Sequence, residues 1–232
     1  MKTIIRWFFG FIKFSPSPSN INYLWNFGSL LILVLIIQIL SGIFISFHYN
    51  SNIEFAFIIT IHITREVNYG WLIRIIHING ASIFFILIYI HIIKAIINNS
   101  WKLKYVWVSG IIILLFSIIV AFIGYVLPWG QISFWAAIVI TNLLSIVPLI
   151  GNIVVEWVWG GFSVSYPTLM RFFSFHFLFP ILILLIVIIH IFFLHISGSQ
   201  NTLSIPLNLD KIRFDPFFSI KDILGFFFFF FF

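Results

Sequence analysis

Apolar and polar positions alternate along this chain in long blocks. Four runs, Gly28 to His48, Ile75 to Ile93, Tyr105 to Leu127 and Phe172 to Ile196, are uncharged, and all of the charge falls in the segments between and around them. A bilayer hydrocarbon core is crossed by about 20 apolar residues of helix. Each run therefore predicts a transmembrane helix, over approximately 27–48, 70–97, 105–127 and 168–196. A fifth run, "QISFWAAIVITNLLSIVPLI" from Gln131, is also uncharged, but it is studded with Gln, Ser, Thr and Asn and bracketed by "PWG" and "PLIG". It reads as an interfacial hairpin of short helices over 131–148, with a fifth span as the alternative. The N-terminal "MKTIIRWFFGFIKF" is basic and amphipathic and lacks a short apolar core followed by a small-residue cleavage site. It predicts a retained interfacial helix within an N-terminal segment 1–26. The fold expected is all-α integral membrane, a four-helix transmembrane bundle over 27–196. An inner-side loop and the start of a truncated fifth helix follow over 197–232.

Composition agrees with the pattern. The 232 residues are 62% hydrophobic and 8% charged, with a mean hydropathy of +1.18, which excludes a water-soluble domain. There is no cysteine, so disulfides and thiolate metal sites are excluded, and a bound iron would need nitrogen or oxygen ligands. With four spans, Lys2, Arg6, Lys13, Lys94, Lys102, Lys104, Lys211, Arg213 and Lys221 fall on one side, and Arg65, Arg74 and Arg171 on the other. The positive-inside rule makes the richer side the interior and places both ends there. The net charge of +6 lies on scattered membrane flanks, so no nucleic-acid partner is implied; the lipid bilayer is the partner.

Histidines inside such helices carry the candidate chemistry, because a polar group in hydrocarbon needs a partner or a function. His77 and His91 are 14 residues apart on the second helix, and His176 and His190 are 14 apart on the fourth. That spacing returns both members of a pair to nearly one face, about 21 Å apart along the axis. The second and fourth helices run in the same direction in the four-span topology. His77 is then level with His176 near the outer surface, and His91 with His190 near the inner one. Two facing neutral imidazoles suit bis-histidine ligation of heme iron, and two levels make two hemes. Gly28 and Gly42, and Gly110 and Gly124, repeat the 14-residue spacing on the first and third helices. Glycine there removes bulk where something large approaches the backbone, as cofactor sites between the helices of a bundle require. Arg74, Arg171 and Lys94 stand near the histidines and put positive charge at the rims for anionic propionates. A set of helix-to-helix packing bonds is the bland alternative for the histidines. His48 and His62 lack the paired arrangement and read as polar loop residues.

The segments "GWLIRIIHINGASIFFILIYIH", "GYVLPWGQISFWAAIVITNLLS", "WGGFSVSYPTLMRFFSFHFLFP" and "FDPFFSIKDILG" resemble the mitochondrial cytochrome b family from about Asn20 to Gly225. The similarity is to its N-terminal, heme-binding half, part of the quinol-oxidising core of ubiquinol–cytochrome c reductase, complex III. The resemblance implies a Q cycle: quinol oxidation near the outer surface, transfer through two b hemes, and quinone reduction inside, with protons translocated. The heme ligands it implies are His77, His176, His91 and His190. Arg74 and Lys94 take propionate roles, Lys94 replacing the arginine common there, and Gln38 is a further cofactor-binding candidate. The inner quinone site maps to Trp25, Asn26, His195, Ser199, Lys221 and Asp222, where an imidazole and a carboxylate relay protons to ubiquinone. The outer ubiquinol pocket maps to Phe122, Tyr125, Ala136 and Ile140. Ala136 stands where the family usually has glycine, a change that goes there with resistance to strobilurin-type inhibitors, so poor strobilurin inhibition with quinol turnover retained is expected.

Partners implied in the same way are a Rieske iron-sulfur protein, cytochrome c1, the other complex III subunits, and a second copy in a homodimer. The family continues through four more helices, one segment of which supplies a quinol-site glutamate, whereas "GFFFFFFF" closes this sequence. The phenylalanines read as the start of a helix, and a chain of this length would need a second polypeptide carrying the C-terminal half. The resemblance, the lack of a targeting peptide and the Ile and Phe bias place the chain in the mitochondrial inner membrane, its N-terminus in the matrix. A diheme membrane anchor of another quinone-linked dehydrogenase is the alternative; the "PWGQISFW" and "SIKDILG" segments speak against it.

Overall fold

A computed structural model of the chain describes Gly10 and residues 15–203 and 210–231. The interfacial helix expected at the N-terminus falls almost wholly outside the described residues. What is described of that segment is Gly10, which is helical, a strand, β1 (Pro16–Pro18), and a 3-10 turn, Tyr23–Trp25. β1 pairs antiparallel with β2 (Lys211–Arg213), Ser17 opposite Ile212. Two prolines cannot donate to a ladder, which confines such a strand to a short edge. Bonds beyond the ladder compensate: Ser19 N–H donates to the Asp210 carbonyl at 3.3 Å and Phe214 N–H to the Ser15 carbonyl at 3.0 Å.

Among the described residues eight helices follow: α1 (Asn26–Ser46), α2 (Ala56–Arg65), α3 (Gly70–Ile97), α4 (Lys104–Val126), α5 (Gln131–Asn142), α6 (Gly151–Trp159), α7 (Tyr166–Ser197) and α8 (Phe217–Phe231). Four of them, α1, α3, α4 and α7, are long and apolar enough to cross a membrane. The run from Gln131 is a shorter helix, α5, followed by a 3-10 turn, Leu143–Ile146. Val147 precedes Pro148 and is extended at ψ 118, as the proline ring demands, so the chain turns there. The returning arm is α6, which carries the hairpin past residue 148 to Trp159. Between α1 and α3 the chain forms α2, so His62 is a helical residue rather than a loop one.

The chain divides into two compact units. One comprises Met1–Ile36, Ser82–Leu114 and Leu185–Phe232; the other comprises Ile37–Ala81 and Leu115–Leu184. The first holds His91 and His190, the second His77 and His176, and they are called here the His91 unit and the His77 unit.

In the His77 unit Ile123, Val126, Ala137, Val164 and Phe172 form a buried cluster, flanked by Trp129, Phe134, Trp159 and Phe179. Polar bonds fasten the hairpin to α7. The Trp159 indole donates to the Thr141 hydroxyl at 2.6 Å, and the Thr168 hydroxyl donates to the Trp159 carbonyl at 2.7 Å. Gly160 ends α6 at φ 75, a left-handed conformation that favours glycine. Pro180 sits inside α7, four residues after His176, and so removes the N–H that would have bonded the His176 carbonyl. Beyond α1, the Tyr49 hydroxyl donates to the Leu127 carbonyl at 2.6 Å. Burial raises the pKa of that phenol and keeps it a donor.

Candidate functional site

Each of the four intramembrane histidines lies against one of the four spaced glycines. In the His77 unit, a Cβ added at Gly42 would lie 3.0 Å from His77 Cε1, and one added at Gly124 would run into His176 Cε1, with Nδ1 at 2.9 Å. The two rings face one another with centroids 6.1 Å apart and planes at 80°. Behind them, His77 Nδ1 is 2.9 Å from the Ser41 hydroxyl and His176 Nδ1 is 3.0 Å from the Val120 carbonyl. A carbonyl only accepts, so the His176 proton sits on Nδ1 and Nε2 keeps its lone pair.

The His91 unit repeats the plan more loosely. A Cβ at Gly28 would lie 3.4 Å from His91 Cε1, and one at Gly110 3.3 Å from His190 Cε1. His190 Nδ1 has the Ser109 hydroxyl at 2.9 Å. His91 Nδ1 is buried and, among the described residues, has no hydrogen-bond partner.

This donor set fits a heme better than a bare ion. Among the described residues no group of three or more His, Cys, Asp or Glu side chains could hold a metal ion, so two imidazoles need a group that brings its own equatorial ligands. Two metal–nitrogen bonds of about 2.0 Å each, with the ring radii added, place imidazole centres about 6 Å apart. The spacing of His77 and His176 matches that figure. The open faces of the four glycines lie against the imidazole rings.

The rim charges are differently held. Arg74 donates to the Thr64 hydroxyl on α2 at 3.1 Å, which leaves further guanidinium donors free to meet an anion. Arg171 donates to the Trp157 carbonyl and lies 5.6 Å from the centre of that indole, so it is tied to α6. Lys94 is 8% exposed, its ammonium 3.9 Å from the centre of the Trp25 ring. Gln38 lies against Gly80 and donates to the Ile76 carbonyl at 3.4 Å, next to His77 in sequence.

Of the residues read as the inner quinone site, Trp25, Ser199, Asn26, Lys221 and Asp222 take part in hydrogen bonds within the His91 unit. The Trp25 indole donates to Ser199 at 2.9 Å, and the Asn26 amide donates to the Lys221 carbonyl at 2.8 Å. Ser29, which sequence reasoning missed, donates to Asp222 at 2.9 Å. His195 stands on the last turn of α7, four residues before Ser199. Burial raises the Asp222 pKa, opposed by the Ser29 bond and by Lys221; burial lowers the Lys221 pKa, opposed by Asp222. Both groups are thereby drawn toward neutral pH.

Phe122, Tyr125, Ala136 and Ile140 all belong to the His77 unit. Phe122 meets Phe172 edge-on at 6.0 Å, beside the buried cluster. Tyr125 and Ile140 are exposed, and Ala136 precedes the fully buried Ala137.

Fold and site together define a multi-pass helical membrane protein with two paired-histidine sites. The chain belongs to the cytochrome b family: the model described as Cytochrome b/b6/petB matches residues 12–198. A solved structure titled "Hyperthermophilic respiratory Complex III" contains a similar chain, 30% identical, with a TM-score of 0.84. The match covers 98% of this chain and 64% of that one, so this chain spans under two thirds of the relative's length.

Proposed function

We propose that the chain binds two b-type hemes, one between His77 and His176 and one between His91 and His190, and serves transmembrane electron transfer in a quinol–cytochrome c reductase. Heme b, when bound, supplies a one-electron carrier at each level. The observation that carries the reading is the facing pair at 6.1 Å, one glycine behind each ring and an oxygen beside each Nδ1. Family membership and the likeness to a respiratory complex support it.

The other residues take their roles from their chemistry. Lys94 and Arg74 supply cationic donors to propionates, and Trp25 holds Lys94 in place by its ring face. Asp222 keeps its proton above the usual carboxylate range and, with His195 and Lys221, delivers protons to quinone on the inner side. Ser29 and Asn26 hold the start of α8 against α1. Tyr125, Phe122, Ala136 and Ile140 line the side where quinol is oxidised and its electrons divided in a Q cycle. Ala136 carries a methyl that crowds rigid ligands lying flat on α5, so strobilurins inhibit poorly. Location in the mitochondrial inner membrane with the N-terminus in the matrix, a Rieske protein and cytochrome c1 as partners, and a homodimeric complex belong to the same proposal.

The test is a reduced-minus-oxidised spectrum with heme quantitation of the purified complex. Two b hemes per chain are expected, falling to one when His77 and His176 are both replaced by alanine. Full heme content in that variant would return the histidines to packing bonds.

A further inference from the structure

We infer that Ser41 and Ser109 are positioning residues, one for each heme site, that fix the proton-bearing nitrogen and the ring plane of His77 and of His190. The inference rests on the heme reading above.

The hydrogen bonds leave one assignment. Ser41 Oγ lies 2.7 Å from the Ile37 carbonyl, 3.1 Å from the Gln38 carbonyl and 2.9 Å from His77 Nδ1. A hydroxyl has one proton, and the carbonyls can only accept, so that proton points back into α1 and Oγ meets the imidazole as an acceptor. His77 therefore carries its proton on Nδ1 and presents the Nε2 lone pair. Ser109 repeats the pattern, 2.7 Å from the Tyr105 carbonyl, 3.0 Å from the Val106 carbonyl and 2.9 Å from His190 Nδ1. Both serines are buried, at 7% and 5% exposure, so water does not compete for the bond.

Each serine also precedes the glycine that receives the same ring: Ser41 and Gly42 hold His77, and Ser109 and Gly110 hold His190. Two consecutive residues thus act on one imidazole, the glycine admitting its edge and the serine taking its N–H. The other two glycines follow Phe27 and Ile123, which have no hydroxyl. The backbone carbonyls of Gln38 and Val106 also lie beside the His77 and His190 imidazoles, so at each of these two rings the serine is a second oxygen next to a backbone one.

A partner on the remote N–H fixes the tautomer and raises the basicity of the ligating nitrogen. A more basic ligand favours the ferric state, so losing the serine raises the midpoint potential of that heme. Serine back-bonded to its own helix is common in membrane spans, and a serine doing only that would leave the potentials unmoved.

The experiment is redox titration and ferric low-spin EPR of the native complex carrying Ser41→Ala, Ser109→Ala, or the threonine counterpart of each. Ser41→Ala should raise the potential and shift the EPR signal of one heme, Ser109→Ala those of the other, and threonine should restore both. Loss of one heme in an alanine variant and its retention with threonine would also support the assignment. Two hemes present with unmoved potentials and signals, both variants acting on one heme, or threonine failing to restore would overturn it. If the unmodified complex shows no b heme, the heme reading itself has failed, a result the variants cannot produce.

Discussion

The two histidine sites share a plan and differ in tightness. In the His77 unit an added methyl at Gly42 or Gly124 meets an imidazole at 3.0 Å or closer, and oxygen atoms stand beside both Nδ1 atoms. In the His91 unit the same methyls would stand at 3.3 and 3.4 Å, and His91 Nδ1 has no hydrogen-bond partner among the described residues. The looser site is bordered by the more elaborate rim, where Lys94, Trp25 and Ser199 are linked and Asn26, Ser29, Lys221 and Asp222 form a second set of bonds. Equal sequence spacing therefore does not mean equal constraint: one site is held mainly by packing against its histidines, and the other trades that for polar connections around its rim.

The strongest way to break the comparison is to remove ligands. His176→Ala and His91→Ala should each abolish one heme and leave the other's spectrum intact, read by heme quantitation and redox titration; loss of both hemes from either change would mean that the sites are not independent.

Adding a methyl at each glycine grades the same contrast. Gly124→Ala should damage its heme most, followed by Gly42→Ala, Gly110→Ala and Gly28→Ala, with overpacking of about 1–3 kcal/mol at the tightest position. Thermal loss of each heme's absorbance measures the order, and a milder effect at Gly124 than at Gly28 would reverse it.

Titration sharpens the difference at the His91 unit. With the Asp222 pKa raised, the native state holds more protons than the unfolded chain above the ordinary carboxylate range. Stability falls as pH rises through the raised value, and the proposed proton delivery should weaken with it. Asp222→Asn should slow quinone reduction and abolish this limb of its pH profile, while quinol oxidation keeps its own pH dependence.

The smallest effect expected is from Trp25→Phe, which keeps a ring over Lys94 but loses the bond to Ser199. About 0.5–1.5 kcal/mol of stability should go with it, measured by denaturation of the complex.

Much of this was legible in the residues. Uncharged runs located the four long helices, because length and apolarity alone decide what spans a bilayer. The 14-residue repeats located the histidines and their glycines, because helical geometry fixes which positions share a face. Short elements were less visible. α2, with the sequence AFIITIHITR, is rich in β-branched residues of low helix propensity, and Phe55 gives it no side-chain cap. The pairing of β1 with β2 joins segments nearly the whole chain apart, which no local pattern reveals. The bonds of Ser41 and Ser109 are not visible in the sequence, because contact between a serine and a ring on another helix depends on rotamers and helix rotation. The Ser-Gly dipeptide at both positions was the available signal.

The antiparallel pairing of Pro16–Pro18 with Lys211–Arg213 has a bearing on the timing of biosynthesis. Asn26 and Lys221, which the same region brings together, are 195 residues apart. At ordinary rates of chain elongation, that distance takes about 10 to 40 s to synthesise. During that interval the early strand and the start of α1 have no partner from the distal segment. Closing so long a loop is also entropically costly, which makes the Asn26–Lys221 corner a late step in assembly.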